Sequence, residues 1–407
     1  MYHHFSKEFF VSNRLRLREL FVGTAPIVIT ANGVLQRNGD GIFSFRQDSS
    51  FWYLTGIKQS DVVLVMDKTK DYLILPTQQD YLDIFHGRSD PIALQAISGI
   101  DTIYKQEEGW KRLNSRLKRA KHVATLSATP AYVEQLGFYA NPARAQLLDR
   151  IKLANTEVEL LDLNPQLSLM RVLKQKPELE ALQEAINITV KAINFVQKRH
   201  YDHEYQLEAE ITRQFRKAGT QGHAFTPIIS AGANACILHR DENDATISDK
   251  DLITLDIGAE VDNYSADISR TYSQAKQPSK RQRAVHDAVI SVQDYAFSLV
   301  KPGALIIENE KLVEHYMGEK LRELGLIQTI NRDSVRKYFP HSTSHFLGLD
   351  AHDTGDYSRP LEPSMVITVE PGIYIPEEGI GIRIEDDVLI TTDGYKVMSD
   401  KLPRSIC

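Results

Sequence analysis

The segment LDIGAEVDNYSADIS, residues 255–269, places two aspartates among apolar residues that favour β-strands. A turn centred in EVDN would fold this segment into an antiparallel hairpin with Asp256 directly opposite Asp267. The Cβ atoms of facing residues lie about 4.5–5.5 Å apart, and like charges in such a pair destabilise a sheet. The spacing therefore predicts a site in which positive charge lies between the two carboxylates.

A second predicted hairpin repeats this pattern with glutamates. MVITVEPGIY and GIGIRIEDD resemble strands, and the turn candidate IPEEG between them places Glu370 opposite Glu385. Arg270 and Arg383 offer one way to neutralise some of the four acids. Two facing pairs within apolar strands favour metal cations, because an unpaired buried charge is costly and coordination relieves that cost.

Three histidines, His341, His345 and His352, lie close together in FPHSTSHFLGLDAHD. Carboxylates combined with one imidazole suit Mn²⁺, Co²⁺, Fe²⁺ or Zn²⁺. Four carboxylates exceed the needs of a usual mononuclear zinc site, and their charge matches two divalent ions. Carboxylate-rich sites with two metal ions hydrolyse amides and phosphoesters, so hydrolysis is the predicted chemistry.

The elements that must position these residues divide into two parts. Residues 1–172 alternate strand-like runs, such as PIVITAN and DVVLVMD, with a helical pattern in VSNRLRLREL, which predicts an α/β domain. Residues 173–407 predict an α+β domain with long helices, the first of which begins near Pro177. The strand-like segments of this second domain are 226–230, 236–240, 252–258, 264–272, 366–374 and 382–390.

The composition limits the class of protein. The chain has 407 residues, of which 42% are apolar and 25% are charged, and these fractions are typical of a soluble globular protein. Its net charge of −6 argues against nucleic-acid binding. No apolar run approaches the about 18 residues that span a membrane, and MYHHFSKEFF lacks the pattern of a secretory signal. Cys236 and Cys407 form no CxxC motif, which suits a reducing compartment. We therefore expect a cytoplasmic protein.

The ordered acids and histidine, read with the surrounding motifs, resemble the pita-bread metallopeptidases, and aminopeptidase P (Xaa-Pro aminopeptidase) most of all. The motifs are FRQDSSFWYLTG at 45–56, ANACILHRDEN, HFLGLDAHD, VEPGIYIP and GIGIRIEDD, and the resemblance covers nearly the whole chain. It implies an α/β N-terminal domain followed by an α+β pita-bread (creatinase/methionine aminopeptidase-like) catalytic domain.

The resemblance also implies a dinuclear metal centre with five ligands, Asp256, Asp267, His345, Glu370 and Glu385. Asp256 matches the bidentate ligand of one ion, and His345 and Glu370 match ligands of the other. Asp267 and Glu385 match the carboxylates that bridge the two ions. Mn²⁺ is the expected metal, with Co²⁺, Fe²⁺ or Zn²⁺ as alternatives.

Further residues match the family's catalytic and substrate-binding positions. Glu370 would also accept the proton of the attacking water. His239 and His352 would contact the substrate and stabilise the tetrahedral intermediate. His341 would lie near the proline subsite, and Arg383 would orient acidic groups or substrate. The chain departs from the family at Arg240 and Ser342, two positions beside the pocket that bear on substrate preference.

The resemblance implies partners as well. The substrate would be a peptide with proline in the second position. The chain would form a homodimer or homotetramer through the N-terminal domain, which would also supply the rim of the pocket. DIFHGRSD, around Phe85, matches a segment that contacts the pocket of a neighbouring subunit in such relatives.

Other functions remain open on the residues alone. A prolidase would cut only Xaa-Pro dipeptides. A methionine aminopeptidase would remove an initiator methionine, but the domain of that enzyme alone is much shorter than this chain. A non-catalytic pita-bread module would bind peptides or proteins after losing metal ligands, but all five candidates are present here. Creatine hydrolysis on the same fold does not use the full set of ligands.

Overall fold

The structure is a computed structural model that describes residues 4–77, 84, 90–128, 133 and 136–407. Phe85, predicted to lie near a subunit contact, is outside the described residues. The chain divides into two compact units, one from Phe5 to Met170 and the other from Arg171 to Cys407 together with His4. The helix Asn164–Val172 runs across this division. None of the described helices is both long and apolar enough to cross a membrane.

The N-terminal unit is built around a six-stranded mixed sheet with the strand order β6-β5-β4-β1-β7-β8. The strands of this unit are β1 (Ile27–Thr30), β2 (Gln36–Asn38), β3 (Gly41–Ile42), β4 (Val63–Met66), β5 (Asp71–Ile74), β6 (Thr102–Tyr104), β7 (His122–Thr125) and β8 (Glu159–Asp162). Strands β2 and β3 form a separate hairpin. Parallel pairs at β5–β6 and β7–β8 beside antiparallel β1–β4 and β4–β5 give the α/β character that the sequence predicted.

Helices of the N-terminal unit pack apolar faces around this sheet. They are Lys7–Leu20, Ser49–Thr55, Pro91–Ser98, Gln106–Leu117 and Ala143–Ala154. Val28 and Val123 from the sheet and Trp110, Leu113 and Ile151 from two of the helices share one buried cluster. Burial of such side chains contributes about 1.5–3 kcal/mol each, so this cluster stabilises the packing of the helices on the sheet.

The C-terminal unit combines several small sheets with long helices. Its strands are β9 (Gly222–His223), β10 (Ile228–Ala231), β11 (Leu252–Ile257), β12 (Ala259–Val261), β13 (Tyr264–Ser265), β14 (Ile268–Ser273), β15 (Val366–Val369), β16 (Gly372–Ile375), β17 (Ile380–Arg383), β18 (Asp386–Ile390) and β19 (Tyr395–Val397). The sheets have the strand orders β10-β11-β14, β13-β12-β9, β15-β18-β19 and β16-β17. The segment 236–240, predicted as a strand, is instead the end of a 3₁₀ helix, Gly232–Cys236, followed by a turn.

The helices of the C-terminal unit begin and end where the local sequence directs them. They are Lys176–Val196, Glu204–Lys217, Lys280–Leu299, Ile306–Glu323 and Arg332–Arg336. Pro177 lies in the first turn of its helix, as predicted, where its missing N–H costs nothing. Ser279 accepts a hydrogen bond from the backbone N–H of Gln282 and so caps the helix that contacts strands β15, β16 and β17.

The predicted register of the glutamate hairpin is confirmed. Val369 pairs with Asp386 on one side of the candidate ligands, and Gly372 pairs with Arg383 on the other. The same register places Glu370 opposite Glu385 in the gap between the two ladders. The turn is a 3₁₀ segment, Pro376–Glu378, followed by Gly379 in the left-handed conformation that glycine favours.

The predicted register of the aspartate hairpin is wrong by two residues. Asp256 pairs with Ser269, not with Asp267. The reason is the turn, because Asp262 and Asn263 both have positive φ, which is the backbone of a two-residue type I′ hairpin turn centred one residue later than predicted. A shift of two residues leaves a side chain on the same face of the sheet, so the two aspartates remain diagonal neighbours.

Candidate metal centre

Three of the five predicted ligands form the core of the site. Ligand atoms of Asp267, His345 and Glu385 all lie within 4.8 Å of one another. Nε2 of His345 is 3.6 Å from Oδ2 of Asp267 and 3.2 Å from Oε1 of Glu370. Asp267 comes from the hairpin β11–β14, His345 from the loop before β15, and the two glutamates from the gap between the β15–β18 and β16–β17 ladders. The fold therefore brings distant segments to one point.

Asp256 is the fifth candidate ligand, and only one of its two carboxylate oxygens accepts a hydrogen bond from the described residues. Its Oδ2 accepts a hydrogen bond of 2.7 Å from Nη2 of Arg383. Its Oδ1 is buried and has no hydrogen-bond partner among the described residues. An unsatisfied buried carboxylate oxygen is costly, and a coordinated cation would satisfy it.

His345 is arranged as a neutral ligand. Its Nδ1 is 3.1 Å from the carbonyl oxygen of Phe346, and because that oxygen can only accept, Nδ1 carries the hydrogen. Nε2 then presents its lone pair toward Asp267 and Glu370. Burial, with a smaller contribution from His352, lowers the pKa of His345 to about 3, so the ring is neutral near pH 7. This orientation by a second hydrogen bond is typical of metal-binding histidines.

The carboxylates repel one another strongly. Burial raises the pKa of Asp267 well above its usual value, and Glu385 and Asp256 raise it further. Burial likewise raises the pKa of Glu385, with Glu370 and Asp256 adding to the effect. Burial raises the pKa of Glu370 to about 8, although Arg383 acts in the opposite direction. One guanidinium does not balance four acids.

These observations fit divalent cations. The donor set is four carboxylates and one neutral imidazole, which suits first-row divalent metals. Positive charge at the site would relieve the mutual repulsion of the acids and satisfy the free Oδ1 of Asp256. Arg270, the other arginine considered from the sequence, instead pairs with Asp386 at 2.6 Å behind the site.

His341 belongs to a hydrogen-bonded chain beside the carboxylates. Its Nδ1 donates to the carbonyl oxygen of Ser342, so its Nε2 accepts from the hydroxyl of Tyr374 at 2.9 Å. Nη1 of Arg383 donates to the same hydroxyl at 2.9 Å. His341 Nδ1 also lies 3.7 Å from Oε2 of Glu370, which places the predicted pocket histidine at the edge of the site.

His352 and His239 lie on the open side of the site. The rings of His345 and His352 meet edge to face with centroids 4.4 Å apart. His352 keeps part of its surface exposed. Burial of the rest of the ring lowers the pKa of His352, His239 lowers this pKa further, and Asp256 raises it. His239 is exposed, in the turn that follows the 3₁₀ helix Gly232–Cys236. The effect of His239 on the pKa of His352 indicates that the two side chains lie near each other.

Several residues that sequence reasoning missed support the predicted ones. Oγ of Ser269 donates to Oε2 of Glu385 at 2.7 Å and accepts from Nε of Arg383 at 2.9 Å. The two carboxylate oxygens of Glu310 each accept from the backbone N–H of Thr343 at 2.9 Å, which holds the loop before His345. Ser269 lies in the quoted hairpin, two residues after Asp267 and opposite Asp256, so its position relative to the acids could have indicated its role. Nothing local to Glu310 pointed to this loop.

The two departures from the family have different surroundings. Arg240 forms ion pairs with Glu204 at 3.1 Å and with Asp244 at 2.5 Å. Its guanidinium is therefore engaged by one acid of the helix Glu204–Lys217 and by one acid of the segment that follows Arg240. Ser342 contributes its carbonyl oxygen to His341, a contact that any residue at this position would supply.

Two family models match the chain. The model for metallopeptidase family M24 matches residues 180–392, and the model for the aminopeptidase P N-terminal domain matches residues 10–125. The chain belongs to metallopeptidase family M24. The match to these M24 and N-terminal models confirms the predicted fold class and the resemblance to aminopeptidase P.

This M24 chain is similar to proteins named Xaa-Pro aminopeptidase or aminopeptidase P along almost its whole length. It is 32% identical to a protein named Xaa-Pro aminopeptidase from Haemophilus influenzae, covering 98% of this chain and 96% of that one. The structure of aminopeptidase P from Escherichia coli with the inhibitor Pro-Leu matches with a TM-score of 0.87 at 30% identity, covering 98% of this chain and 96% of that one. A zinc-substituted form of the Escherichia coli protein in complex with product matches with a TM-score of 0.85 at 29% identity, again covering 98% and 96%.

Proposed function

We propose that this M24 protein is an aminopeptidase that uses two divalent metal ions to release the N-terminal residue from peptides with proline in second position. The observation that carries the proposal is the convergence of four carboxylates and one neutral histidine, with a buried Asp256 oxygen left unsatisfied. The similarity to named Xaa-Pro aminopeptidases over 98% of the chain supports the choice of substrate.

The proposed ligands are Asp256, Asp267, His345, Glu370 and Glu385. Bound divalent ions would supply Lewis acidity and lower the pKa of water toward neutrality. Mn²⁺ is the proposed metal, because oxygen-rich sites with one imidazole suit it, while Co²⁺, Fe²⁺ and Zn²⁺ fit the same donors.

Glu370 is the proposed general base. Its Oε1 accepts from the hydroxyl of Thr368 at 3.3 Å and lies 3.2 Å from Nε2 of His345, so the carboxylate is held at the centre of the site. Burial raises the pKa of this carboxyl to about 8 without metal, and the positive charge of bound divalent ions would lower it, so that Glu370 would be ionised and able to act as a base. Glu370 would accept the proton of the attacking water and return it to the leaving nitrogen.

His239 and His352 are the proposed donors to the substrate carbonyl. They approach the site from its open side, where a peptide would enter. A positioned donor of this kind contributes about 3 kcal/mol to catalysis in other enzymes. The ring contact of His352 with the proposed ligand His345 supports this role.

Proline specificity is proposed to arise at His341 and its aromatic neighbours, with Arg383 orienting acidic groups or substrate. The ring of His341 meets Phe339 at 4.9 Å and Tyr374 at 5.5 Å between centroids, and both neighbours are buried, which supports a fixed position for His341 beside the proposed proline subsite. An Xaa-Pro bond has no N–H and a fixed φ, so recognition by ring shape can replace recognition by a hydrogen bond.

The test is mass spectrometry of products from an Xaa-Pro-Xaa tripeptide, with metal-free protein and with added Mn²⁺. We expect release of the first residue only when Mn²⁺ is present. Loss of any other residue first, or metal-independent cleavage, would overturn the proposal. An Xaa-Pro dipeptide in parallel separates an aminopeptidase, which prefers the tripeptide, from a prolidase, which cuts the dipeptide alone.

We also propose that the chain forms a homodimer or homotetramer through its N-terminal unit, residues 1–172, which would supply the pocket rim to the catalytic unit, residues 173–407. Exposed apolar side chains on the β2–β3 hairpin support this, with Ile42 55% and Phe43 54% exposed. The free thiols Cys236 and Cys407 support a cytoplasmic location. Light scattering after size-exclusion chromatography would show the mass of one chain if the assembly is wrong.

A further inference from the structure

A single buried glutamine lies behind the proposed metal ligands. Gln293 belongs to the helix Lys280–Leu299 and has 0% of its surface exposed. Its Nε2 donates to the carbonyl oxygen of Val369 at 3.1 Å and to that of Ile384 at 3.2 Å. Val369 and Ile384 immediately precede Glu370 and Glu385, the two glutamates of the proposed centre.

These two carbonyls belong to the peptide units that orient the glutamates. A peptide unit is planar, so the carbonyl of one residue and the N–H of the next turn together. The N–H of Glu370 donates to the carbonyl oxygen of Thr343 at 2.8 Å, and the N–H of Glu385 donates to that of Ser269 at 3.0 Å. With Gln293 on the opposite edge, both peptide units are held from two sides.

Gln293 also crosses the place where regular strand pairing is interrupted. The β15–β18 ladder ends with Val369 and Asp386, and the β16–β17 ladder begins with Gly372 and Arg383. Within this gap the N–H of Ile384 makes one long contact of 3.3 Å with the carbonyl oxygen of Pro371. The glutamine amide therefore replaces the missing ladder bonds as the link between the two ligand-bearing strands.

The amide is itself held in one orientation. Its Oε1 accepts from Nη1 of Arg404 at 2.8 Å, and its Nε2 has a third acceptor in Oδ2 of Asp386 at 3.0 Å. The two amide hydrogens are shared among three acceptors, and an amide flipped by half a turn would bring its oxygen against two carbonyls. Nη2 of Arg270 donates to the other oxygen of Asp386 at 2.6 Å, which extends the network.

We propose that Gln293 is a positioning residue that sets the separation of Glu370 and Glu385 and thereby the affinity of the site for divalent metal. The proposal rests on the dinuclear centre proposed above. In metalloproteins, changing a partner that orients a ligand typically weakens metal binding or activity by about 10–100-fold. A glutamine that merely stabilised the fold would lower the stability of the metal-free protein without changing its metal affinity.

The experiment compares Gln293→Met with Gln183→Met in the full chain. Gln183 is a matched control because its Nε2 also donates to a carbonyl oxygen, that of Met398 at 3.0 Å, on a residue that does not adjoin a predicted ligand. Calorimetric titration of the metal-free proteins with Mn²⁺ is expected to show affinity about 10–100-fold weaker for Gln293→Met and unchanged for Gln183→Met. Equal affinity in Gln293→Met and the unaltered chain would overturn the inference.

A second pair of variants covers the case in which Gln293→Met does not fold. Arg404→Met removes the group that orients Oε1 of Gln293, and its side chain is 33% exposed, so folding is at less risk. Asp294→Asn is its control, because Asp294 binds Arg404 at 2.8 Å without contacting the amide. The inference is supported if Arg404→Met binds Mn²⁺ more weakly than both the unaltered chain and Asp294→Asn. It is overturned if Arg404→Met binds Mn²⁺ as tightly as the unaltered chain. If the unaltered chain binds no Mn²⁺, the proposed function fails first.

Discussion

Glu178 provides a prediction whose size follows directly from the structure. This residue is 1% exposed in the first turn of the helix Lys176–Val196. One carboxylate oxygen accepts from the hydroxyl of Tyr264 at 2.8 Å, and the other accepts from the backbone N–H of Gln175 at 2.8 Å. Burial outweighs these hydrogen bonds and the nearby Lys174, and it raises the pKa from 4.5 to about 7.

A raised carboxyl pKa means that the folded protein holds the proton more tightly than the unfolded chain. The stabilisation from Glu178 is therefore complete below about pH 4.5 and is lost as the pH rises through about 7. Each pKa unit corresponds to about 1.36 kcal/mol, so the shift amounts to about 3 kcal/mol of unfolding free energy. Glu178→Gln, which cannot ionise, removes this dependence.

The assay is urea unfolding of the full metal-free chain, followed by far-ultraviolet circular dichroism at about pH 4.5 and about pH 8. Relative to the unaltered chain, Glu178→Gln is expected to gain about 3 kcal/mol between these conditions. Glu180→Gln is the control, because that side chain is 51% exposed and lies 3.7 Å from the ammonium group of Lys176 on the same helix. A stability difference for Glu178→Gln that does not change with pH would refute the reasoning.

Two further predictions concern the site itself, and a third concerns the hairpin that carries its two aspartates. Asp267→Ala removes a carboxylate from the core and should abolish Mn²⁺ binding and Mn²⁺-dependent turnover; an active variant with normal metal content by plasma emission would contradict this. Glu370→Gln should retain some metal but lower kcat by about 10²–10⁴-fold, since the proton acceptor is lost; turnover at the unaltered rate would exclude Glu370 as the base. Gly258→Ala should destabilise the protein by about 3 kcal/mol or more in urea unfolding, because its Cβ would lie 1.7 Å from the carbonyl oxygen of Ala266; unchanged stability would show that the hairpin adapts.

The hairpins show how far sequence reasoning reaches. The pairing of Glu370 with Glu385 followed from a turn at IPEEG, and the ladders on both sides of the glutamates have that register. The pairing of Asp256 was wrong by two residues, because the choice of turn depended on which residues would take positive φ. Asp262 and Asn263 both take it. The residues that take positive φ in a hairpin turn determine the register of its strands. In EVDN, more than one pair of adjacent residues could form the turn, so the sequence did not determine which pair lies at its centre.

Residues that act over long distances could not be found from local patterns. Gln293 and Glu310 lie in helices, where each reads as one polar residue among others. Their roles arise because those helices pack behind strands and loops distant in sequence. The segment 236–240 shows the opposite limit, since its composition favours a strand but it contains the last residue of a 3₁₀ helix, Gly232–Cys236, and a turn. Gly381 lies close to the backbone of Ala235 in that helix. Tertiary contacts override propensity at both places.

The most direct test of the metal centre is anomalous diffraction from crystals grown with Mn²⁺. We expect two anomalous peaks, one within coordination distance of oxygens from Asp256 and the other within coordination distance of Glu370 and of His345 Nε2. Oxygens of Asp267 and Glu385 should lie within coordination distance of both peaks. Well-ordered side chains at these positions with no anomalous peak between them would contradict the assignment.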